Sequence, residues 1–298
     1  MTLADRFRGC LLGLAAGDAV GTTLEFTRRG TFTPITDMVG GGPFGLAPGQ
    51  WTDDTSMAMC LATSLVERRG FDAVDQMDRY VRWWQEGYLS STGRCFDIGT
   101  TVRRALSHYQ RTGTAFAGST DPQSAGNGSL MRLAPVPMWW FPDLDAMVHH
   151  AAESSRTTHG AAECVDACRL MADLLYRAFR GASKDEVLFG DPGFSGAPAI
   201  EAVARGGYRD KPATAIRGSG YVVESLEAAL WCLWRSDTFE AAVLAAANLG
   251  DDADTTAAVC GQLAGACYGV DAIPARWRQR IAMAPLIIDL ADRLRRDA

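Results

Sequence analysis

The sequence is 298 residues long and lacks several features that would direct its interpretation at once. It has no apolar run long enough to span a bilayer. The opening MTLADRFRGCLLGLAAGDAVG is too short in its apolar part, and carries Asp5, Arg6 and Arg8 too early, to predict a cleaved signal or an anchor. A cytoplasmic protein without membrane partners is the resulting expectation. No CxxC pair occurs among Cys10, Cys60, Cys95, Cys164, Cys168, Cys232, Cys260 and Cys267, which sit mostly inside apolar helical patterns and predict reduced core thiols. There is no lysine-rich patch, and the net charge is −6, which argues against a surface built to neutralise a nucleic-acid backbone. No alternating run is long enough to predict a strand, and neither an internal repeat nor a linker composition divides the chain.

What is present is helix after helix. Phe7, Leu11 and Leu14 recur at helical spacing from Asp5 onward. A second helix is predicted from Ser56 to the stop at Gly70, and a third over 72–86. Further helices follow around Val102, Leu106 and Tyr109, over 144–155, 161–180 and 198–205, from Gly218–Tyr221 to Trp234, and from about Thr255. Glycine-rich loops separate them. With 47% hydrophobic residues, the expectation is an all-α fold, a single compact orthogonal multi-helix bundle over residues 1–298, monomeric by default.

Two Thr/Asp clusters stand out at helix starts. The stretch 248–269, NLGDDADTTAAVCGQLAGACYG, holds Asp251, Asp252, Asp254, Thr255 and Thr256 ahead of a helix whose Ala257, Gly261 and Gly265 lie at i, i+4, i+8. Such a row lets another backbone come very close. The loop 40–50, GGGPFGLAPGQ, delivers the chain to Trp51, Thr52, Asp53, Asp54 and Thr55 at a second helix start. An aspartate N-cap with neighbouring surface acids is the plain reading of either cluster alone. Taken together, Thr52, Asp53, Asp54, Asp252, Asp254 and Thr255 form an all-oxygen set of four carboxylates and two hydroxyls. Ligands of that kind select Mg²⁺, Mn²⁺ or Ca²⁺ over zinc and suit a pair of divalent ions.

Other residues admit two readings. Asp18, between Gly17 and Gly21, either braces a turn, the simpler reading, or belongs to an acidic site, and Glu25 is ambiguous in the same way. Asp97 is explained as the N-cap of the following helix. The small residues from Ser124 through Gly126, Asn127 and Gly128 to Ser129 leave backbone N–H groups open to an anion. His159 lies in a polar break between helices, which moves it toward a ligand-facing position.

WTDDT at 51–55 with GDDADTTAAVCGQLAGACYG at 250–269 resembles the ADP-ribosylglycohydrolase family. LGLAAGDAVGTTLEF at 12–26, DIGTT at 97–101, AGNGSLMR at 125–132, THG at 158–160 and GYVVESLEAALW at 220–231 match it in order along nearly the whole chain. The resemblance implies an all-α domain with a cleft holding two divalent cations, Mg²⁺ or Mn²⁺. Thr52, Asp53, Asp54, Asp252, Asp254 and Thr255 would be the ligands, with Asp254 the bridge. It implies Asp97 as acid/base and Glu25 beside the metals. Ser124, Gly126, Asn127 and Gly128 would meet the diphosphate, His159 the ribose-diphosphate side and Tyr221 the adenine. Asp251 stands where the nitrogen-fixation members carry glycine, so it is expected to sit behind the ligands or face solvent rather than to be a ligand itself. Thr100 stands where relatives carry Asn or Asp, which leaves the leaving-group side open.

The implied activity is metal-dependent removal of ADP-ribose from a modified protein, at the arginine guanidino nitrogen first. An O-linked serine or ester bond, or a small ADP-ribosylated metabolite, is the alternative substrate. A two-metal phosphohydrolase and a non-catalytic ADP-ribose-binding or structural member of the family are the readings of other classes.

Overall fold

A computed structural model of the protein describes residues 1–190 and 193–296. Asp191 and Pro192, in the Gly/Pro-rich stretch, and Asp297 and Ala298, at the end of the expected 1–298 domain, lie outside the described residues. The α-helices are α1 (Leu3–Gly21), α2 (Asp53–Arg68), α3 (Ala73–Glu86), α4 (Thr100–Thr112), α5 (Pro135–Trp140), α6 (Leu144–Arg156) and α7 (Ala162–Phe179). They continue with α8 (Lys184–Phe189), α9 (Pro198–Ala204), α10 (Val222–Trp234), α11 (Phe239–Ala247), α12 (Ala253–Tyr268), α13 (Ala275–Arg278) and α14 (Ala284–Arg296). Among the described residues β-structure is confined to isolated bridges, such as Gly126 with Tyr221. The chain is an all-α bundle, as its patterning predicts.

Its axis is the antiparallel pair α1 and α12. Gly9, Gly13, Gly17 and Gly21 on α1 face Gly265, Gly261, Ala257 and Ala253 on α12. A Cβ built on any of the four α1 glycines would overlap the carbonyl oxygen of its opposite number. The same holds in reverse for Gly261 and Gly265, which meet the carbonyls of Gly13 and Gly9. Glycine costs roughly 1 kcal/mol against alanine in a helix interior. Here the cost is offset by a backbone-to-backbone contact that no side chain permits. Both helices are buried nearly all round, α1 from Gly9 onward and α12 from Ala253 to Ala266, which marks them as the centre of the fold rather than a surface layer.

Around this axis α14 and α11 pack on α1, and α11, α10 and α7 on α12. A smaller apolar cluster of Met57, Cys60, Met77, Tyr80, Trp83, Val102 and Leu106 ties α2, α3 and α4 together. Arg79 on α3 reaches Asp75 at 2.6 Å and Glu67 of α2 at 2.7 Å, closing the edge of that layer. The eight cysteines are all free thiols, six of them buried.

Because the obstacle at Gly13 is backbone, it cannot move aside. We expect Gly13→Ala to lower stability by about 3 kcal/mol, the upper end of the overpacking range. Gly99→Ala, at a site with open space around it and an ordinary φ of −62°, should stay within about 0.5 kcal/mol of the parent. Urea midpoints would report this, and an unshifted Gly13→Ala midpoint would contradict the close approach.

Candidate metal centre and substrate cavity

The α1–α12 contact carries two acids side by side, Asp18 next to Gly17 and Asp254 next to Ala253. Both are buried. Asp18 lies inside α1 rather than at a turn, so the turn reading changes form. Its two carboxylate oxygens reach across to brace the start of α2. Oδ1 accepts from Thr52 N–H at 2.8 Å and Thr52 Oγ1 at 2.9 Å, while Oδ2 accepts from Thr55 N–H at 3.0 Å and Thr55 Oγ1 at 2.6 Å. The orphan donors at the helix start are thus satisfied from another helix. Thr52, at the N-cap position, makes no capping bond of its own.

This arrangement releases Asp53 and Asp54 from capping. Asp54 turns inward beside Thr52 Oγ1 at 3.1 Å, and Asp254 Oδ2 approaches the same hydroxyl at 3.1 Å. One hydroxyl carries one proton. Thr52 therefore cannot donate to Asp18, Asp54 and Asp254 together, and lone pairs face carboxylate oxygens across the gap.

α12 repeats the pattern. It begins at Ala253, two residues ahead of the predicted start, with Asp252 at the N-cap position and no capping bond. The Asp252 carboxylate accepts instead from Asn127 Nδ2 at 2.7 Å. Thr255 Oγ1 lies 3.5 Å from Asp54. Asp97 is likewise no cap, since Gly99 holds the N-cap position of α4. The cap readings of Asp97 and of the two acidic clusters are therefore corrected by the structure.

Carboxylate oxygens of Asp18, Asp54 and Asp254 lie within 4.8 Å of one another, and so do those of Glu25, Asp97 and Asp254. Asp254 belongs to both groups. Glu25 Oε2, Asp54 Oδ1 and Asp254 Oδ1 are buried with no donor in reach. Burial pushes every member of the set up in pKa: Asp18 to about 6, Asp97 to about 7, Glu25 to about 10, and Asp53, Asp54 and Asp254 well above the usual range. For all but Asp18, neighbouring carboxylates add to the shift. Buried, acceptor-only and mutually repelling oxygens fit a site for hard divalent cations. Asp18, whose oxygens already take four donors, serves as the scaffold behind it.

Glu25, Asp53, Asp97, Asp252 and Thr255 line a cavity of about 720 Å³ together with Gly126, Asn127, Gly128 and His159. The predicted anion loop differs in detail. Ser124 faces a neighbouring cavity, its hydroxyl donating to the carbonyl of Asp121 at 2.6 Å. The N–H groups of Gly126 and Asn127 donate to the carbonyls of Ser124 and Gly220, so they are not open to an anion as the composition suggests. Arg132, to which the sequence assigns no role, is fully buried and holds the loop by donating to Gly128 O and Thr158 Oγ1, both at 2.7 Å. Thr158 in turn meets His159 Nδ1 at 2.8 Å. Burial and the Arg132 charge push His159 down to about 3, so the imidazole is neutral at physiological pH. Tyr221 is half-exposed beside the cavity, its hydroxyl donating to Glu163 at 2.8 Å.

A profile of the ADP-ribosylglycohydrolase family matches residues 1–298. An ADP-ribosylarginine hydrolase Tri1 from Pseudomonas putida (strain GB-1) is 48% identical over 297 residues, covering 97% of this chain and 78% of that protein. The protein of the same name from Serratia proteamaculans (strain 568) is 43% identical over 291 residues, covering 97% and 79%. A solved structure, an ADP-ribosylglycohydrolase-related protein complex, superposes with a TM-score of 0.88 at 45% identity, over 99% of this chain and 98% of that one.

A carboxyl whose folded pKa lies above its unfolded value holds a proton that the unfolded chain has released. Metal-free stability should therefore fall as the pH rises from about 4, the unfolded carboxylate value, through the values near 6 and 7 of Asp18 and Asp97. A bound cation removes that loss and adds about 2.7 kcal/mol per site at a hundredfold excess over Kd. The gap in melting temperature between EDTA-treated and Mn²⁺-loaded protein should thus widen from pH 5 to pH 8. A constant gap would contradict the buried acid cluster as the site of binding.

Proposed function

The chain belongs to the ADP-ribosylglycohydrolase family, and on that premise we propose that it cleaves the N-glycosidic bond between ADP-ribose and the arginine guanidino nitrogen of a modified protein. The observation that carries the reading is the pair of carboxylate groups joined at the buried Asp254, of which Glu25 and Asp97 line a cavity large enough for a nucleotide-sized ligand. The arginine linkage is supported by the activity for which the Pseudomonas and Serratia relatives are named, at 48% and 43% identity.

Thr52, Asp53, Asp54, Asp252, Asp254 and Thr255 would hold two divalent cations, Mg²⁺ or Mn²⁺, with Asp254 shared between them. Bound there, the cations supply Lewis acidity toward ribose hydroxyls and a lowered pKa for water. The chain's own residues do the rest. Asn127 fixes the Asp252 carboxylate and so joins the substrate loop to the metal cluster. Neutral His159 and Gly128 form a close, uncharged wall for the ribose-diphosphate, and Tyr221 stands at the opening where the adenine would lie.

Asp97, raised to about 7, is protonated in part of the population at neutral pH and can give its proton to the departing guanidino nitrogen as oxocarbenium character develops at the ribose. Glu25, in the same carboxylate group, holds a proton at neutral pH because burial and neighbouring acids raise it to about 10; a bound cation would lower that value, and Glu25 would then accept a proton from the attacking water. The protein acts in the cytoplasm as a single catalytic domain and a monomer on this reading.

Arginine-, serine- and acid-linked ADP-ribosyl peptides, incubated with Mg²⁺ or Mn²⁺, test the proposal. Release of intact ADP-ribose from the arginine-linked peptide is expected. Release from the serine-linked one alone would move the activity to an O-linkage, and AMP as product would favour a phosphohydrolase. Asp97→Asn should lower kcat by about 10²–10⁴-fold while ADP-ribose and metal affinity persist, and full activity in that variant would remove the acid role.

Across a Mn²⁺ titration, the alanine variants should lose metal affinity in the order Asp254, then Asp53, then Asp251. Asp254 serves both carboxylate groups, whereas Asp251 is exposed. Asp251→Ala as impaired in metal binding as Asp254→Ala would show that the ligand register is off by one residue.

A further inference from the structure

Phe26 lines the cavity and two further aromatic rings stand in a chain behind it, and two of the three are sequence neighbours of the acids inside. Phe26 follows Glu25, and Phe96 precedes Asp97. Phe44, from the glycine-rich loop, sits between them, with ring centroids 6.3 Å from Phe26 and 5.1 Å from Phe96. Phe26 lines the cavity and is 69% exposed. Its φ of +58° is in the left-handed region, and so is the +55° of Asp251, which lines the same cavity with an exposed side chain. The two are tied together: Phe26 N–H donates to Asp251 O at 2.7 Å, and Asp251 N–H donates to Thr27 O at 2.8 Å.

A left-handed conformation strains a side-chain-bearing residue through its Cβ, a strain that glycine avoids. An exposed phenylalanine and an exposed aspartate held there, side by side, are therefore placed for what their side chains present to the cavity. Arg217, a cation on the same wall, has a carboxylate partner in Glu224 at 3.8 Å, whereas Asp251 faces the opening.

We propose that Phe26, backed by Phe44 and Phe96, together with Asp251, forms the receptor for the leaving group and selects a planar cation, the guanidinium of a modified arginine. A guanidinium stacks on an aromatic face and pairs with a carboxylate. A serine ether or an ester offers neither a flat π-stacking surface nor a charge, so the receptor discriminates by linkage. The inference rests on the arginine reading above and names the residues that would enforce it.

Full-length, Mn²⁺-loaded protein and its Phe26→Ala, Phe26→Trp and Asp251→Asn variants test it in two measurements. In the first, Phe26→Ala and Asp251→Asn should each raise KM for an arginine-linked ADP-ribosyl peptide roughly tenfold with a smaller change in kcat, while Phe26→Trp keeps the parent KM. Affinity for free ADP-ribose should stay within about twofold in all variants, since the receptor touches only the leaving group. An unchanged KM in Phe26→Ala overturns the proposal, as does an ADP-ribose affinity that falls in parallel with the rise in KM.

In the second, methylguanidinium is titrated into each protein in the presence of ADP-ribose. Binding to the parent that weakens in Phe26→Ala and Asp251→Asn supports the receptor, and no binding to the parent overturns it. Should the parent release nothing from arginine-linked peptide, the proposed function falls while methylguanidinium binding still decides the receptor.

Discussion

Everything at the site depends on how closely α1 and α12 approach. Side chains normally hold two helices about 8–10 Å apart. Here glycine and alanine meet along four turns, and the carbonyls of one helix occupy the space that the other's Cβ atoms would fill. That contact brings Asp18 and Asp254, one residue beyond the facing positions, to within coordinating reach of the same group of oxygens. A larger residue at Gly17 or Gly21 would separate the carboxylates as well as the helices. The stability of the fold and the geometry of the acid cluster are set by one contact.

That geometry places charge where the solvent cannot reach it. Asp18, Asp53, Asp54 and Asp254 are all buried, and among them Asp18 alone has both oxygens supplied with donors. Asp18 also substitutes for the local cap of α2, and this substitution lets the residues next to the helix start keep their polar groups for the site. Asn127 occupies Asp252 in the same way at α12. Two helix starts thus give up their own capping bonds. The backbone donors at α2 are satisfied from a distance, so carboxylates that would ordinarily stabilise helix ends by about 1 kcal/mol are free to gather around a cation.

Much of this was legible in the sequence. Helical periodicity located α3, α6, α7 and α10 to within a residue or two, and the two Thr/Asp clusters pointed to one shared all-oxygen set. The i, i+4, i+8 row in α12 announced a close helix partner. The matching row Gly9, Gly13, Gly17 and Gly21 identifies that partner as α1, and it is readable in the same way. Asp18 was obscured because its flanking glycines look like turn residues, whereas they are the flat face of a helix. For Asp97, Asp252 and the acids of α2 the sequence leaves a second reading standing, because an acid before a helix has a sufficient explanation as a cap, and the choice needs the hydrogen bonds, which show that cap bonds are missing or come from elsewhere. Glycine content suggested free N–H groups in the loop near Asn127, but it carries no information on the carbonyls that take up those of Gly126 and Asn127. Arg132 gave no signal, since a buried arginine is identified by its partners.

The left-handed residues Phe26, Asp97 and Asp251 extend the same logic from helix ends to single dihedrals. Each adjoins or belongs to the acid cluster, and each stands where glycine would relieve the backbone. The resemblance of 250–255 to the nitrogen-fixation members of the family implies glycine at the position of Asp251, which agrees with a conformational demand of the backbone at that point. In this chain the demand is met by an aspartate exposed to the cavity, and at position 26 by a phenylalanine. The hydrogen bonds of Phe26 N–H to Asp251 O and of Asp251 N–H to Thr27 O then join the exit of α1 to the entry of α12, at the end of the helix pair where the acids lie. The dihedrals that aim Glu25 and Asp252 inward are therefore the ones that aim Phe26 and Asp251 outward. The acid-bearing wall of the cavity and its Phe26–Asp251 rim cannot be repositioned independently.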